Sequence, residues 1–417
     1  MRSFFYSVLL CGAVVIAAQG AFAQGSPYDA IGFGLPVRSG SATIDALGGT
    51  GVAMEGTRIV NELNPALWTW LSKARFDAAM RFDYTSAQLG TAQDAQHNYH
   101  FSGAAFGAPI WAPINAAMAI GYVPLTDASN QIHDSSAAGN QTYIVRGGTN
   151  LVFLGFSARP VPEVALGARL DLITGDIRHL GQVSFADTTA ASGEFERDYF
   201  YQGLRPTFGF EFIGDSIGWN GLSIGATYSL ASNLTATRET ITTPTSSSLD
   251  TTIDSSGIGR YPAAFSAGIS IHLSRRYRAE ADYSLQDFSS AYVFAPKSGG
   301  VGDSLLRSSN RISFGIERLA NVSGEYGTSF GMDRWALRLG LSYGTLPIMP
   351  NNSIVREFSL SAGVGIPISF ETLLNLSFVG GQRIPQVANA APKETFLRLG
   401  ADVSFSEQWF VPTRRNQ

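Results

Sequence analysis

The feature that most constrains this chain is a two-residue alternation that gathers most charges on one face of segments about 10 residues long, the length of a strand crossing a bilayer. In 75–87, Phe76, Ala78, Met80, Phe82 and Tyr84 share one face, while Arg75, Asp77, Arg81 and Asp83 share the other. Segment 164–176 sets Val164, Leu166, Ala168, Leu170 and Leu172 against Gly167, Arg169 and Asp171, and 334–345 sets Trp335, Leu337, Leu339, Leu341 and Tyr343 against Arg334 and Arg338. A helix would scatter these charges around its circumference; a strand separates them because its side-chain period is two.

Fourteen such segments are predicted: 75–87, 98–107, 115–124, 149–159, 164–176, 203–213, 220–231, 261–273, 277–288, 310–319, 334–345, 355–367, 373–381 and 395–406. An even number suits an antiparallel transmembrane β-barrel with both termini on the periplasmic side. Long links at 125–148, 177–202, 232–260 and 289–309 alternate with short ones at 160–163, 214–219 and 274–276, the pattern of outer loops and periplasmic turns. The link 320–333 breaks that rule, as an elaborated turn or a miscounted hairpin. A soluble β-sandwich would alternate equally well. The polar face mixes Gly, Ser and opposite charges, as a narrow wet lumen would, and favours the barrel. On these faces Leu339→Arg is expected to be costly and the inward Gly340→Ser mild.

Arg2, the apolar stretch from Val8 to Ala18 and Ala21-Phe22-Ala23 describe a secretory signal peptide cleaved before Gln24. A lipoprotein signal using Cys11 would need a small residue where Leu10 stands. After the signal no run approaches the ~20 apolar residues of a membrane helix. The only cysteine lies in the signal, which leaves the mature chain without disulfides or cysteine metal sites. Loss of Arg2 leaves 28 Lys+Arg against 33 Asp+Glu, a formal charge of −5, with nothing basic enough to hold nucleic acid. The expected organisation is a signal peptide at 1–23, an N-terminal plug at 24–74, the barrel at 75–406 and a periplasmic tail at 407–417.

Segment 24–74 lacks strand alternation, yet Leu47, Val52, Leu63, Leu67, Trp68, Trp70 and Leu71 are too apolar to remain solvated, so it is expected inside the barrel rather than as a periplasmic tail. Gly48, Gly49 and Gly51 permit close backbone approach, and Asn64 can close a side-chain turn before Pro65 and Ala66. A phosphate cradle would need a strand-to-helix context and a following Lys.

These residues, with Ser26-Pro27-Tyr28, Gly32-Phe33-Gly34, Ala46-Leu47-Gly48-Gly49-Thr50-Gly51-Val52-Ala53 and Asn64-Pro65-Ala66-Leu67, resemble the plug region of the FadL family. These FadL/TodX-type outer-membrane proteins transport long-chain fatty acids and aromatic hydrocarbons, and divergent relatives occur in Bacteroidota and Chlorobi. The resemblance implies passive uptake of small hydrophobic molecules past a plug, with outer-membrane lipid around the barrel. It also implies a sideways exit at the third strand, where Gly121 lacks a side chain and Pro124 a ladder donor. Trp68, Trp70, Phe195, Tyr199, Phe200, Arg205 and Arg338 are the candidate ligand path. Loop 177–202, with Phe185, Phe195, Tyr199, Phe200 and Tyr201, is the candidate landing groove, whereas 232–260 is a polar Thr and Ser tract.

No enzyme, metal or cofactor is expected. His272 and Ser270, i and i+2 on one strand, stand about 7 Å apart with no orienting acid, so a lumenal hydrolase lacks its catalytic set. His97, His100, His133 and His179 fall in or near loops without metal-ligand spacing. Inward pairs are expected between Arg169 and Asp171, Arg205 and Glu211, Arg278 and both Glu280 and Asp282, Arg311 and Glu317, and Arg398 and Asp402. The alternative function is a shuttle or structural component of a protein secretion system, with a secreted protein as partner.

Overall fold

The structure is a computed structural model that describes residues 25–407 apart from 57, 137–138, 186–191, 215–220, 245–250, 297–305, 321–331 and 370. The signal sequence and nearly all of the tail segment lie outside the described residues.

Fourteen antiparallel strands close into one barrel. In chain order they are β1 (Ala74–Leu89), β2 (Ala92–Trp111), β3 (Ala116–Pro124 and Asn130–Ser136), β4 (Gly139–Val161), β5 (Val164–Phe185), β6 (Gly193–Ile213) and β7 (Leu222–Ser229 and Ser232–Pro244). The ring continues through β8 (Thr251–Tyr261 and Ala264–Ser274), β9 (Tyr277–Gln286 and Tyr292–Pro296), β10 (Ser309–Arg318), β11 (Ala336–Thr345), β12 (Val355–Pro367), β13 (Thr372–Pro385) and β14 (Lys393–Glu407). Closure is direct, since β1 pairs with β14 from Ala74↔Glu407 to Gln88↔Lys393. Every predicted segment corresponds to one strand. β10 pairs with β11, so the count stands and the unusual link joins two neighbouring strands.

The two faces fall where the alternation puts them. Phe76, Tyr84, Leu166, Leu170, Ile269, Ile271, Phe314, Leu339 and Leu341 point outward, while Arg81, Asp171, Arg205, Arg278, Glu280, Glu317 and Arg338 are buried inside. An apolar belt outside and charges within is the arrangement a bilayer requires of a closed sheet.

Two expectations are corrected by strand length. The links 125–148, 177–202 and 232–260 are mostly paired strand: β4 with β5 extends to Gly139↔Phe185, β5 with β6 to Val183↔Gly193, and β7 with β8 to Thr242↔Thr251. Their polar composition reflects strands that rise beyond the bilayer, where the outward face meets water. For the same reason His97, His100, His133 and His179 lie on strands rather than in loops.

The lumen is not uniformly wet. Its outer half holds a packed apolar core in which Tyr28, Phe33 and Leu35 of the N-terminal segment meet Ile173, Ile177, Tyr201, Leu234, Tyr261, Phe288 and Ile348. Phe33 sits edge-on to Tyr201 and Tyr261 at centroid distances of 5.3 and 5.6 Å. Below it, residues 38–71 fold as a short helix α1 (Ala42–Ala46), a glycine turn and a 3-10 segment Pro65–Trp70.

Candidate functional site: the filled lumen and the break in its wall

The N-terminal segment is seated by inward glycines that stand in cross-strand pairs. Gly167 of β5 faces Gly209 of β6, and a Cβ on either would lie 2.4 Å or less from Pro65–Ala66 backbone or from Asn64 Oδ1. Gly225 of β7 faces Gly268 of β8 beneath Val52, and Gly315 of β10 faces Gly340 of β11 beneath Leu47, Gly48 and Thr50. Gly48 reciprocates: its φ is +73°, and a Cβ there would meet the Leu341 backbone at 2.7 Å. Two backbones can approach this closely only where the residue facing the contact carries no side chain there, which glycine provides on the wall and at Gly48. The expectation that Gly340→Ser would be mild is therefore wrong, because the added atom would lie 2.2 Å from Gly48 N.

Polar side chains of the wall and of the segment itself then satisfy the segment's backbone. Asn64 Oδ1 caps Ala66 N at 3.0 Å, while its Nδ2 donates to Val52 O at 2.7 Å and Phe210 O at 3.0 Å. Asp282 Oδ2 accepts from Gly51 N and Val52 N at 2.7 and 3.0 Å. Ser361 Oγ donates to Ala46 O at 2.9 Å, Arg169 Nη1 to Glu62 O at 2.6 Å and Arg278 Nη1 to Glu55 O at 2.5 Å. Buried amides left unpaired would each cost about 1–3 kcal/mol, and these contacts remove that cost.

Several predicted charge pairs exchange partners. Arg169 does meet Asp171, at 2.9 Å, and Arg278 meets Glu280, at 2.8 Å. Arg205 instead joins Asp171 at 3.1 Å, and Arg398 joins Asp83 at 2.9 Å. Glu317 holds Arg278 and Arg338, while Arg311 turns to Glu357. Glu211 accepts from Trp70 Nε1 and Ser223 Oγ, and Asp402 from Asn375 and Ser41. Alternation assigns a residue to a face but cannot say which neighbouring strand offers its counter-charge.

The candidate ligand path is dispersed. Trp68 is wholly buried, stacked on Phe153 at 5.8 Å and donating to Asn61 O at 2.7 Å. Trp70 lies under Arg159, 4.1 Å from its guanidinium carbon. Phe195 is partly exposed and covers Gly181, while Tyr199 stacks on Tyr201 at 6.3 Å. Phe200 alternates with buried Tyr201 and points outward with Leu204, so it is not on a lumenal path. Arg205 and Arg338 are committed, Arg205 to Asp171 and over the Tyr261 ring, Arg338 to Glu317 and Asn375 at 2.8 and 2.9 Å. Neither offers a free guanidinium to a ligand carboxylate.

The third strand breaks, but beyond the residues named for it. Gly121 is paired on both sides, with Ala105 and Phe153, and Pro124 remains opposite Asn150. What Gly121 provides is room for the Phe153 ring, whose Cζ would lie 2.5 Å from an added Cβ. Pairing of β2 with β3 stops at Ala104↔Tyr122, and residues 125–129 turn inward. There Thr126 and Asp127 pair with Pro36 and Leu35, and Leu125 O accepts from Val37 N at 3.0 Å. Strand three thus exchanges strand two for the N-terminal segment. Ser102 is the extra residue of a bulge in β2 at the same height, next to Gly103 at φ +140°. Gln96 Nε2 reaches Gln131 O at 3.2 Å and marks the upper end of the gap.

A cavity of ≈ 290 Å³ opens at this gap. Tyr99, Phe101 and Tyr122 form its outer rim, with Phe101 and Tyr122 stacked at 5.9 Å. Its inner wall is charged, His100 Nε2 lying 3.3 Å from Asp83 and 3.1 Å from Asp127, beside Arg81. The opening is apolar towards lipid and polar towards the lumen. Sequence alternation missed Ser102, His100 and Asp127; the doublet Gly147-Gly148, whose open backbone accommodates Thr126, was the one available signal.

An apolar belt, a polar inner face and a closed ring of fourteen strands define a transmembrane β-barrel of the Gram-negative outer membrane. Its fold is that of FadL-type channels. It matches a Pseudomonas aeruginosa FadL homologue (TM-score 0.63, 11% identity, 91% of this chain and 100% of that one) and the Pseudomonas putida toluene transporter TodX (0.61, 13%, 90% and 100%). The monoaromatic hydrocarbon channel CymD is also similar (0.55, 16%, 92% and 99%). No curated protein sequence matches the chain. The chain belongs to the BamG family, whose model matches residues 1–416.

Proposed function

We propose that this protein is a non-catalytic outer-membrane channel that admits small hydrophobic molecules, of the kind its structural neighbours are named for, through the gap between β2 and β3. The observation that carries this reading is the loss of β2–β3 pairing above Ala104↔Tyr122 beside a cavity with an aromatic rim. An apolar solute is stable at that rim and in the bilayer core, so a sideways step requires no passage through water. In this reading segment 25–71 is the barrier that closes the axial route, its Gly48, Gly49 and Gly51 turn and its Asn64-Pro65-Ala66 element holding it in place.

The test uses cysteines placed at Phe101 and Tyr122 in the mature chain, which has none of its own, joined by a short bifunctional thiol reagent. Cross-linking is expected to stop uptake of an aromatic hydrocarbon by intact cells while the heat-dependent gel shift of the barrel persists. Deleting 25–71 is expected to open an ion-conducting pore. Normal uptake after cross-linking, with an ion-tight deletion variant, would overturn both the route and the barrier.

A second reading, a structural barrel that works with a protein partner in secretion or assembly, is favoured by the apolar core filling the outer half of the lumen. Such packing turns a conduit into a solid wall. Absence of uptake in the uncrosslinked protein, with a stoichiometric partner retained on purification, would select it.

A further inference from the structure

We propose that the lumen contains a binding site for a small oxyanion, of the phosphate or sulfate class, between the glycine-seated layer and the apolar outer core. A cavity of ≈ 200 Å³ is lined by four guanidiniums, Arg38, Arg311, Arg383 and Arg398, and by only two carboxylates, Glu357 and Asp282. The imbalance is sharper than the count. Glu357 alone serves three of the arginines: Arg38 and Arg311 at the same Oε1, the latter at 3.4 Å, and Arg383 at Oε2 at 2.9 Å. Arg38 and Arg311 also share one hydroxyl, Ser342 Oγ, at 3.2 and 3.3 Å. Asp282 is directed to the backbone amides of Gly51 and Val52 rather than to an arginine.

Arg383 and Arg398 have further partners of their own, Glu394 and Asp83, each at 2.9 Å. Arg38 and Arg311 do not reach a second carboxylate among the described residues, so two guanidiniums compete for one oxygen. Like charges held together out of water repel strongly, and an anion carrying several oxygens relieves this by accepting from both forks at once. The lining supplies hydroxyls for the remaining oxygens, among them Ser309, Ser313 and Thr345. Leu35 and Leu346 line its outer side as part of the packed core, which sets the charged lining directly against apolar packing. This inference is independent of the transport route.

The full mature protein, purified in detergent in an oxyanion-free buffer, is titrated with inorganic phosphate against sodium chloride at equal ionic strength. Its unfolding temperature is read from the heat-dependent gel shift. Phosphate is expected to raise that temperature saturably and chloride is not. Arg311→Gln removes one of the competing charges; it is expected to fold and to weaken the phosphate half-saturation about tenfold or more. Arg38→Gln provides the same comparison from the N-terminal segment. No phosphate effect beyond that of chloride overturns the site, as does an equal effect in both variants. Stabilisation by octanoate but not by phosphate also overturns it, since the cavity would then hold the head of an amphiphile.

Discussion

Gly167 and Gly209 stand opposite one another on β5 and β6, and the backbone of Pro65–Ala66 occupies the space their side chains would take. The same relationship recurs at Gly225 with Gly268 and at Gly315 with Gly340, so the wall and the segment inside it are complementary backbone to backbone. Gly209→Ala is expected to cost about 1–3 kcal/mol by overpacking. Because the clash is with the inner segment rather than with a neighbouring strand, protease sensitivity of 25–71 and ion leakage should rise before the barrel melts. A leak-free, fully stable variant would show that the segment is not held there.

Asn64 makes three buried hydrogen bonds with one side chain, to Ala66 N, Val52 O and Phe210 O. Asn64→Ala is expected to destabilise the native state by about 1–3 kcal/mol through the groups left unpaired. Asn64→Asp keeps the cap on Ala66 but loses the donors to both carbonyls, so it should fall as far. Denaturant midpoints of the three proteins decide this, and recovery by Asp would confine the role to capping.

On β11, adjacent residues test the two faces for different reasons. Leu339 is 60% exposed on the membrane side, so Leu339→Arg should cost about 2–4 kcal/mol near the midplane in lipid. Gly340→Ser should also destabilise, by collision with the Leu47–Gly48 backbone and, less rigidly, with Ser361 Oγ, and its cost should fall when 25–71 is deleted. Folding titrations in lipid vesicles separate the two; a Gly340→Ser cost undiminished by the deletion would refute the seating.

At the rim where the chain enters the barrel, Lys73 Nζ donates to Glu371 Oε1 at 2.5 Å. That bond, with a further one from Ser406 Oγ, holds the Glu371 carboxyl below its ordinary value. A depressed folded pKa stabilises above the unfolded value of about 4.3, and the contribution is lost as pH falls through the folded value. As pH falls through that range the melting temperature of the native protein should therefore drop more steeply than that of Glu371→Gln. Both residues are about a third exposed, so the difference should be modest and should shrink with salt.

Much of this architecture was legible from alternation alone. Phe76 against Asp77, or Leu339 against Arg338, assigns lipid and lumen without knowledge of any neighbour, because a bilayer tolerates only one arrangement of a strand's two faces. The strand number followed from counting such segments. Contacts between distant segments were beyond its reach. That Arg205 chooses Asp171 over Glu211, that Thr126 and Asp127 leave β2 to pair with Leu35–Pro36, and that Tyr201 and Tyr261 close on Phe33 depend on register and on the path of the inner segment. The glycines lie between these cases. Gly167, Gly209, Gly225, Gly268, Gly315 and Gly340 are all visible at inward positions of the sequence, yet their purpose appears only when strand pairing sets them side by side and residues 48–66 come to rest on them. Local periodicity records which medium each side chain must face, whereas partner choice inside the barrel is a property of the closed ring, where chain separation no longer measures distance.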